Sequence, residues 1–338
     1  MKQSALVRKN LYRQDLVVAM NRTTTVSVAA PAPDFFLAGA PKCATSSLHL
    51  MLIKHPDVFM CSPKEPHFFC MDLPGLAEVE GRAAYDALFD AAPEGTLRGE
   101  ASAHYLYSQT AAAEIYAANP KAKIILSLRN PADAARSYFH QLRDGFREDQ
   151  TRFKNAWNLQ QKRAAGQMLP PYCPEPQQLQ YRALYSYADQ VARYLEIFPP
   201  EQIMILRFED IHRQPEAVVQ QVMTFLGLSP PDEAISLPRT NTRRQPRFPR
   251  LAQLIAAPPP FLRPLVAPIK RLLNGLGIKP SVLMMRYFSK PAARSAGQGQ
   301  GDDPADQAFQ TDLVAAFEAD IIQLEARLAE DFSRWRST

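Results

Sequence analysis

"FFLAGAPKCATSSLHLMLIKHPDVF", residues 35–59, passes from an apolar run through a glycine, a proline and a lysine into small and hydroxylated residues. The apolar run DFFLAGA reads as a buried strand entering a turn at glycine. SSLHLMLIKHP predicts a helix in which Leu48, Leu52 and Ile53 share a face and Pro56 ends the run. A strand–turn–helix of this kind offers backbone N–H groups and a helix N-terminus to an anion. Thr45, Ser46 and Ser47 add hydroxyl donors, and Lys42 is placed to reach a bridging oxygen. A Walker A loop, G-x-x-x-x-G-K-[ST], carries its lysine later. Here Lys42 follows Gly39 by three residues, and the next buried strand, IILSLRN, has no Walker B aspartate. Magnesium-dependent hydrolysis of a nucleoside triphosphate is therefore poorly supported. Taken alone, the loop could equally be an ordinary strand–helix turn with a surface lysine.

The rest of the chain sets that loop in a repeating pattern. KAKIILSL (121–128) is a second buried strand, and the segment after it predicts a helix with Pro131 near its start. QIMILRFEDI (202–211) reads as a third strand. Residues 85–91, 110–118 and 185–198 are helical in pattern, and the helix PEAVVQQVMTFLGL has Gly227 as its C-terminal cap. Strands alternating with helices predict an α/β fold, a P-loop-type parallel sheet flanked by helices on both faces.

With 338 residues, 46% apolar and 22% charged, the chain has the composition of a soluble globular protein. It holds no apolar run long enough to span a bilayer. The N-terminus has scattered charges and no apolar core, so a cytoplasmic protein is expected. The four cysteines show no zinc spacing and read as free thiols, with a Cys61–Cys70 bridge left open. Residues 1–33 read as an N-terminal arm and 34–338 as a single domain. Within it, the Pro-rich segment 234–301 has no Asp or Glu but twelve Lys and Arg, although the whole chain is only +5. That segment reads as a solvated basic surface, or as a platform for an anionic acceptor or for the inner face of an anionic membrane. From about 305 to 330 a helix is expected, with Leu313, Phe317, Ile321, Leu324 and Leu328 as its apolar stripe. No nucleic-acid partner is expected.

Four motifs in order resemble the sulfotransferases that use 3′-phosphoadenosine 5′-phosphosulfate. GAPKCATSSL looks like the family's 5′-phosphosulfate loop. SPKEPHFF (62–69) and GEASAHYLY (99–107) resemble segments of the heparan-sulfate-type and related bacterial branch. LRNPADAARSYFHQ (128–141) resembles the 3′-phosphate segment, with Arg129 and Ser137 eight residues apart. The resemblance covers roughly residues 34–336 and implies a sulfotransferase fold.

The resemblance implies a sulfuryl transfer to a hydroxyl or amine of a glycan, glycolipid or small metabolite, without a metal. Lys42 would stabilise the leaving oxygen. Pro41, Cys43, Ala44, Thr45, Ser46 and Ser47 would form the loop around the 5′-phosphate, and Arg129 and Ser137 would hold the 3′-phosphate. Arg243 and Arg244 would close over the donor. Ala44 stands where the family carries glycine, and alanine fits there if φ is negative. Glu65 would be the general base and His67 its assistant, with His104 as a rival base. Ala101 stands where heparan-type enzymes carry a lysine toward the polysaccharide, which argues against a heparan-like polymer. A P-loop nucleotide kinase and an inactive nucleotide-binding protein of the same fold are the competing classes.

Overall fold

A computed structural model of the chain describes residues 32–229, 237, 244–246, 289–291 and 304–336. Residues 1–31 of the expected arm over 1–33 and nearly all of the basic segment 234–301 lie outside the described residues, as does Arg243. Five strands, β1 (Phe35–Gly39), β2 (Val58–Met60), β3 (Leu97–Ala101), β4 (Lys123–Leu128) and β5 (Ile203–Arg207), form one sheet in the order β2-β3-β1-β4-β5. Every neighbouring pair is parallel. The principal helices are α1 (Thr45–Leu52), α2 (Ala111–Ala118), α3 (Pro131–Asp144), α4 (Tyr187–Ile197), α5 (Pro215–Leu226) and α6 (Pro304–Leu328).

Side chains of a strand alternate between its two faces. In β1, Phe36 and Ala38 enter one core while Phe35 and Leu37 enter the other. In β4, Ile124, Leu126 and Leu128 join the first core and Ile125 the second. The second core is closed by Leu48, Met51 and Leu52 of α1 and by Val218, Val222, Met223 and Leu226 of α5. The first is closed by α2, α3, α4 and the stripe Leu313, Phe317, Ile321 and Leu324 of α6. This is the expected parallel sheet with helices on both faces.

Two local expectations change. The strand read over 202–211 ends at Arg207, and Phe208–Arg213 turn into a short helix. Ile53 lies just past α1 and is half exposed rather than sharing the buried face of Leu48 and Leu52. Strands β2 and β3 were not read from the sequence at all. Other expectations hold. Pro131 is the first residue of α3, and Asn130 caps it by accepting from the N–H groups of Ala132 and Asp133. Gly227 ends α5 at φ 78. The four cysteines are free. Among the described residues no helix is long and apolar enough to cross a membrane.

The sheet order positions the site. β1 lies between β3 and β4, so the segments leaving the C-terminal ends of these strands meet at one edge, where open α/β sheets gather ligands. The segment after β2 continues alongside β3, where Cys61 N–H donates to the Gly99 carbonyl and Glu65 N–H to that of Ala101.

Candidate active site

The loop after β1 is fixed from below. Ala40 N–H donates to the Ser127 carbonyl of β4 at 2.8 Å, and the Ser127 hydroxyl donates back to the Cys43 carbonyl. Tyr185 donates to the Pro41 carbonyl at 3.2 Å. Gly39 is required here, because a Cβ would collide with Leu106, whose N–H donates to the Ala38 carbonyl. With the loop carbonyls engaged from the protein side, the head of α1 remains for a ligand. Its first N–H groups have no acceptor within the helix.

A cavity of about 300 Å³ opens at this point. It is lined by Pro41, Lys42, Ala44, Thr45 and Ser46 of the loop and the head of α1, together with Lys64, Glu65, Ala103, His104 and Gln141. Cys43 and Ser47, expected to help hold the donor, are buried. The Cys43 thiol donates to the Pro41 carbonyl, and burial pushes its pKa up to about 12, so it braces the loop as a neutral group. Burial, and then the nearby Arg129 guanidinium, hold the Lys42 ammonium below the usual lysine range.

Backbone strain concentrates around the cavity. Lys42, Ala44, Glu65 and His67 are non-glycine residues at φ 65, 66, 64 and 53. The condition set for Ala44, a negative φ, is not met. Its backbone is left-handed, the conformation that glycine adopts freely and alanine only at a cost of about 1–2 kcal/mol.

The Glu65 segment hangs from β3 and the residues after it. His67 N–H donates to the Ser102 hydroxyl at 3.1 Å, and Phe69 N–H to the Tyr105 hydroxyl at 3.2 Å. Tyr85 and Tyr105 both donate to Oε2 of Glu100, at 2.7 and 2.9 Å. Glu100 is fully buried, and burial raises its pKa to about 7 in spite of those donors.

The three candidate proton acceptors differ sharply. Burial works against ionisation of Glu65, but Lys64, His67 and His104 outweigh it and hold the carboxyl at about 2. Its side chain keeps 35% of its exposure, so the carboxylate is charged and reachable. His104 lines the cavity, yet both of its nitrogens are engaged, Nδ1 with His67 Nε2 at 3.1 Å and Nε2 with the Tyr138 hydroxyl at 2.8 Å. Burial, and then the neighbouring His67, lower its pKa to about 3. His67 is buried behind it, and burial lowers its pKa as well.

The residues expected at the 3′-phosphate sit outside the cavity wall. Arg129, just past β4, stacks over the Phe208 ring at 4.4 Å and lies 3.8 Å from Asp133. Ser137 is half-buried on α3. The backbone of Arg244 begins a short strand, β6 (Arg244–Pro246), paired antiparallel with β7 (Ser289–Pro291) and lying against α3. From the far side, the Asn130 amide donates to the Trp335 carbonyl at 3.2 Å, and Asp320 of α6 accepts from Tyr187 N–H at 2.7 Å. The C-terminal helix thus anchors the start of α3 and α4.

Lys64, Ala103 and Gln141 were not picked out by sequence reasoning. Lys64 stands beside Glu65 in the quoted motif, which was the available signal. Gln141 lies one helical turn beyond Ser137, so helical spacing from that residue pointed to it.

Fold and loop together define a P-loop-type α/β protein whose strand–turn–helix loop shares a cavity with the Glu65 carboxylate. Residues 32–245 match the family model described as sulfotransferase domain, and the chain belongs to that family. It is 31% identical over 216 residues to human bifunctional heparan sulfate N-deacetylase/N-sulfotransferase 3, covering 59% of this chain and 22% of that one. Identity to rat carbohydrate sulfotransferase 15 is 27% over 269 residues, covering 63% and 47%. The chain thus spans about a fifth of the heparan-sulfate enzyme and about half of the carbohydrate enzyme. A sulfotransferase from Alicyclobacillus acidocaldarius has the same fold, with TM-score 0.60, 28% identity, and coverage of 90% of this chain and 99% of that one.

Proposed function

We propose that this chain transfers a sulfuryl group from 3′-phosphoadenosine 5′-phosphosulfate to a hydroxyl or amine of a carbohydrate-bearing acceptor. One observation carries this reading: a single cavity is lined both by Lys42, Thr45 and Ser46 of the loop and by the ionised Glu65. Transfer from a donor held by the loop to a nucleophile beside a base needs both in one cavity.

In the reaction, the acceptor oxygen or nitrogen forms a bond to sulfur, and the bond from sulfur to the 5′-phosphate oxygen breaks. The proton of the acceptor passes to Glu65, and adenosine 3′,5′-bisphosphate leaves. By analogy with phosphoryl transfer, positioning and charge stabilisation supply most of the rate. The Lys42 ammonium and the N–H groups at the head of α1 face the oxygen that gains charge. A carboxylate held at about pKa 2 is a weak base. It suffices if proton transfer follows bond formation, because the acceptor atom becomes strongly acidic once bonded to sulfur. Arg129 and Ser137 are assigned to the 3′-phosphate, and Arg244 to the cover over the donor.

The family membership and the carbohydrate-directed names of two relatives support this class of acceptor. An acceptor screen with ³⁵S-labelled donor against fractionated glycans and glycolipids tests it. Incorporation of label into a carbohydrate fraction, lost in Glu65→Gln, is the expected result. Label appearing only in non-carbohydrate metabolites would replace the acceptor class. No labelled product from any fraction, with no binding of adenosine 3′,5′-bisphosphate, would overturn the reading.

A further inference from the structure

Neighbouring side chains in an extended chain point to opposite faces. Glu65 departs from this with its left-handed backbone at φ 64, and its Oε1 comes to 2.7 Å from Nζ of Lys64, the preceding residue. Both residues line the same cavity as Lys42, Thr45 and Ser46. We propose that Lys64 is a positioning residue for the base, whose ammonium fixes the Glu65 carboxylate as an anion aimed at the acceptor side of the cavity. This rests on the sulfotransferase reading of the site.

The surroundings of Glu65 make such a partner necessary. His67 on the same segment, His104 after β3, His49 on α1, Glu100 in β3, Tyr138 on α3 and Lys42 in the loop after β1 all act on it electrostatically. Burial lowers the pKa of all three imidazoles, so the help that His67 and His104 give in holding Glu65 ionised is confined to acid pH, where they are protonated. Tyr138 is a buried phenol, and Glu100 brings repulsion when ionised. Lys42 faces the leaving oxygen. Among the described residues, Lys64 is the cation in direct ion-pair contact with Glu65. Burial by itself favours the neutral carboxylic acid, which cannot accept a proton. Lys64 occupies Oε1 and leaves Oε2 for the proton of the acceptor. Lysine is a compact point charge on a flexible stem, and an arginine can hold one carboxylate oxygen in the same way.

The test uses the full chain carrying ¹³C-labelled glutamate, with Glu65→Gln to assign the Glu65 side-chain resonance. In the wild type, the Glu65 carboxyl should stay ionised down to about pH 3, below the ordinary glutamate range. In Lys64→Gln its midpoint should rise by about two pH units or more, and Lys64→Arg should bring it back. An unchanged midpoint in Lys64→Gln would overturn the proposal. Melting of each variant with adenosine 3′,5′-bisphosphate supplies the second readout. Equal stabilisation of wild type and Lys64→Gln is expected, and a loss confined to Lys64→Gln would make Lys64 a donor ligand instead and overturn the positioning role. If the bisphosphate failed to stabilise the wild type itself, the sulfotransferase reading would fall, while the titration would still decide the role of Lys64.

Discussion

Nε2 of His67 lies 3.1 Å from Nδ1 of His104, and the remaining nitrogen of His104 lies 2.8 Å from the Tyr138 hydroxyl. The imidazole that reaches the cavity therefore has no free nitrogen for a substrate proton. Glu65→Gln should lower kcat by about 10²–10⁴-fold, the usual worth of a general base, whereas His104→Gln should cost less than about tenfold. Steady-state kinetics at saturating donor and acceptor decide this. The reverse ranking would move the base to His104.

If Lys42 stabilises the leaving oxygen, the charge that it faces develops mainly in the transition state. Lys42→Ala should lower kcat by about 10²–10³-fold, as loss of one oxyanion donor does. Calorimetry should still detect binding of adenosine 3′,5′-bisphosphate, because the head of α1 and the 3′-phosphate residues are untouched. Near-normal kcat in this variant would remove Lys42 from the chemistry.

Arg129 is held over the Phe208 ring at 4.4 Å, close enough to Lys42 to depress its pKa. If Arg129 and Ser137 bind the 3′-phosphate, adenosine 3′,5′-bisphosphate should stabilise the protein far more than adenosine 5′-monophosphate does. Arg129→Ala should erase most of that preference, about 1.5–3 kcal/mol for a hydrogen bond to a charged group. Thermal melts with the two nucleotides make the comparison, and equal stabilisation of the wild type by both would contradict the site.

Ala44 caps α1 at φ 66. Ala44→Gly relieves the left-handed strain but gives the unfolded chain more freedom, so the net gain should be below about 1 kcal/mol. A small rise in Tm with kcat retained is the expected outcome. A fall in Tm would show that contacts of the buried Ala44 methyl outweigh the strain.

Glu100 titrates near 7 in the folded chain, against about 4.3 for an unfolded glutamate. The folded state binds this proton more tightly, so stability falls as pH rises from about 4 through about 7, by roughly 3–4 kcal/mol in all. Glu100→Gln keeps an acceptor for Tyr85 and Tyr105 and removes the titration. Denaturant melts across pH 5–8 should show a decline in the wild type that is much flatter in the variant. Parallel curves for both proteins would contradict a raised Glu100 pKa.

Short apolar runs in FFLAG and KIILSL disclosed two central strands, and the Gly39–Lys42 spacing set the loop apart from a Walker A motif. The stripe Leu313, Phe317, Ile321 and Leu324 marked the buried face of α6, because helical spacing is local information. β3 was illegible for a physical reason. LRGEA contains an arginine, a glycine and a glutamate, and reads as a polar turn. Only β1 and β2 on either side make it a strand, with Gly99 leaving room for the Phe35 ring and Glu100 buried by the hydroxyls of Tyr85 and Tyr105.

The sequence by itself determined the α/β class and the strand–turn–helix after β1, and it singled out Lys42 and Glu65 as candidates, since each rests on short local motifs. The left-handed Ala44 and the engaged nitrogens of His104 were decided by the tertiary structure, because backbone angles and hydrogen-bond partners depend on neighbours distant in sequence. So was the meeting of Glu65 with Lys42. It follows from a sheet order that sets β3 beside β1 and stitches the segment after β2 to the end of β3, and no spacing along the chain encodes which strands pair.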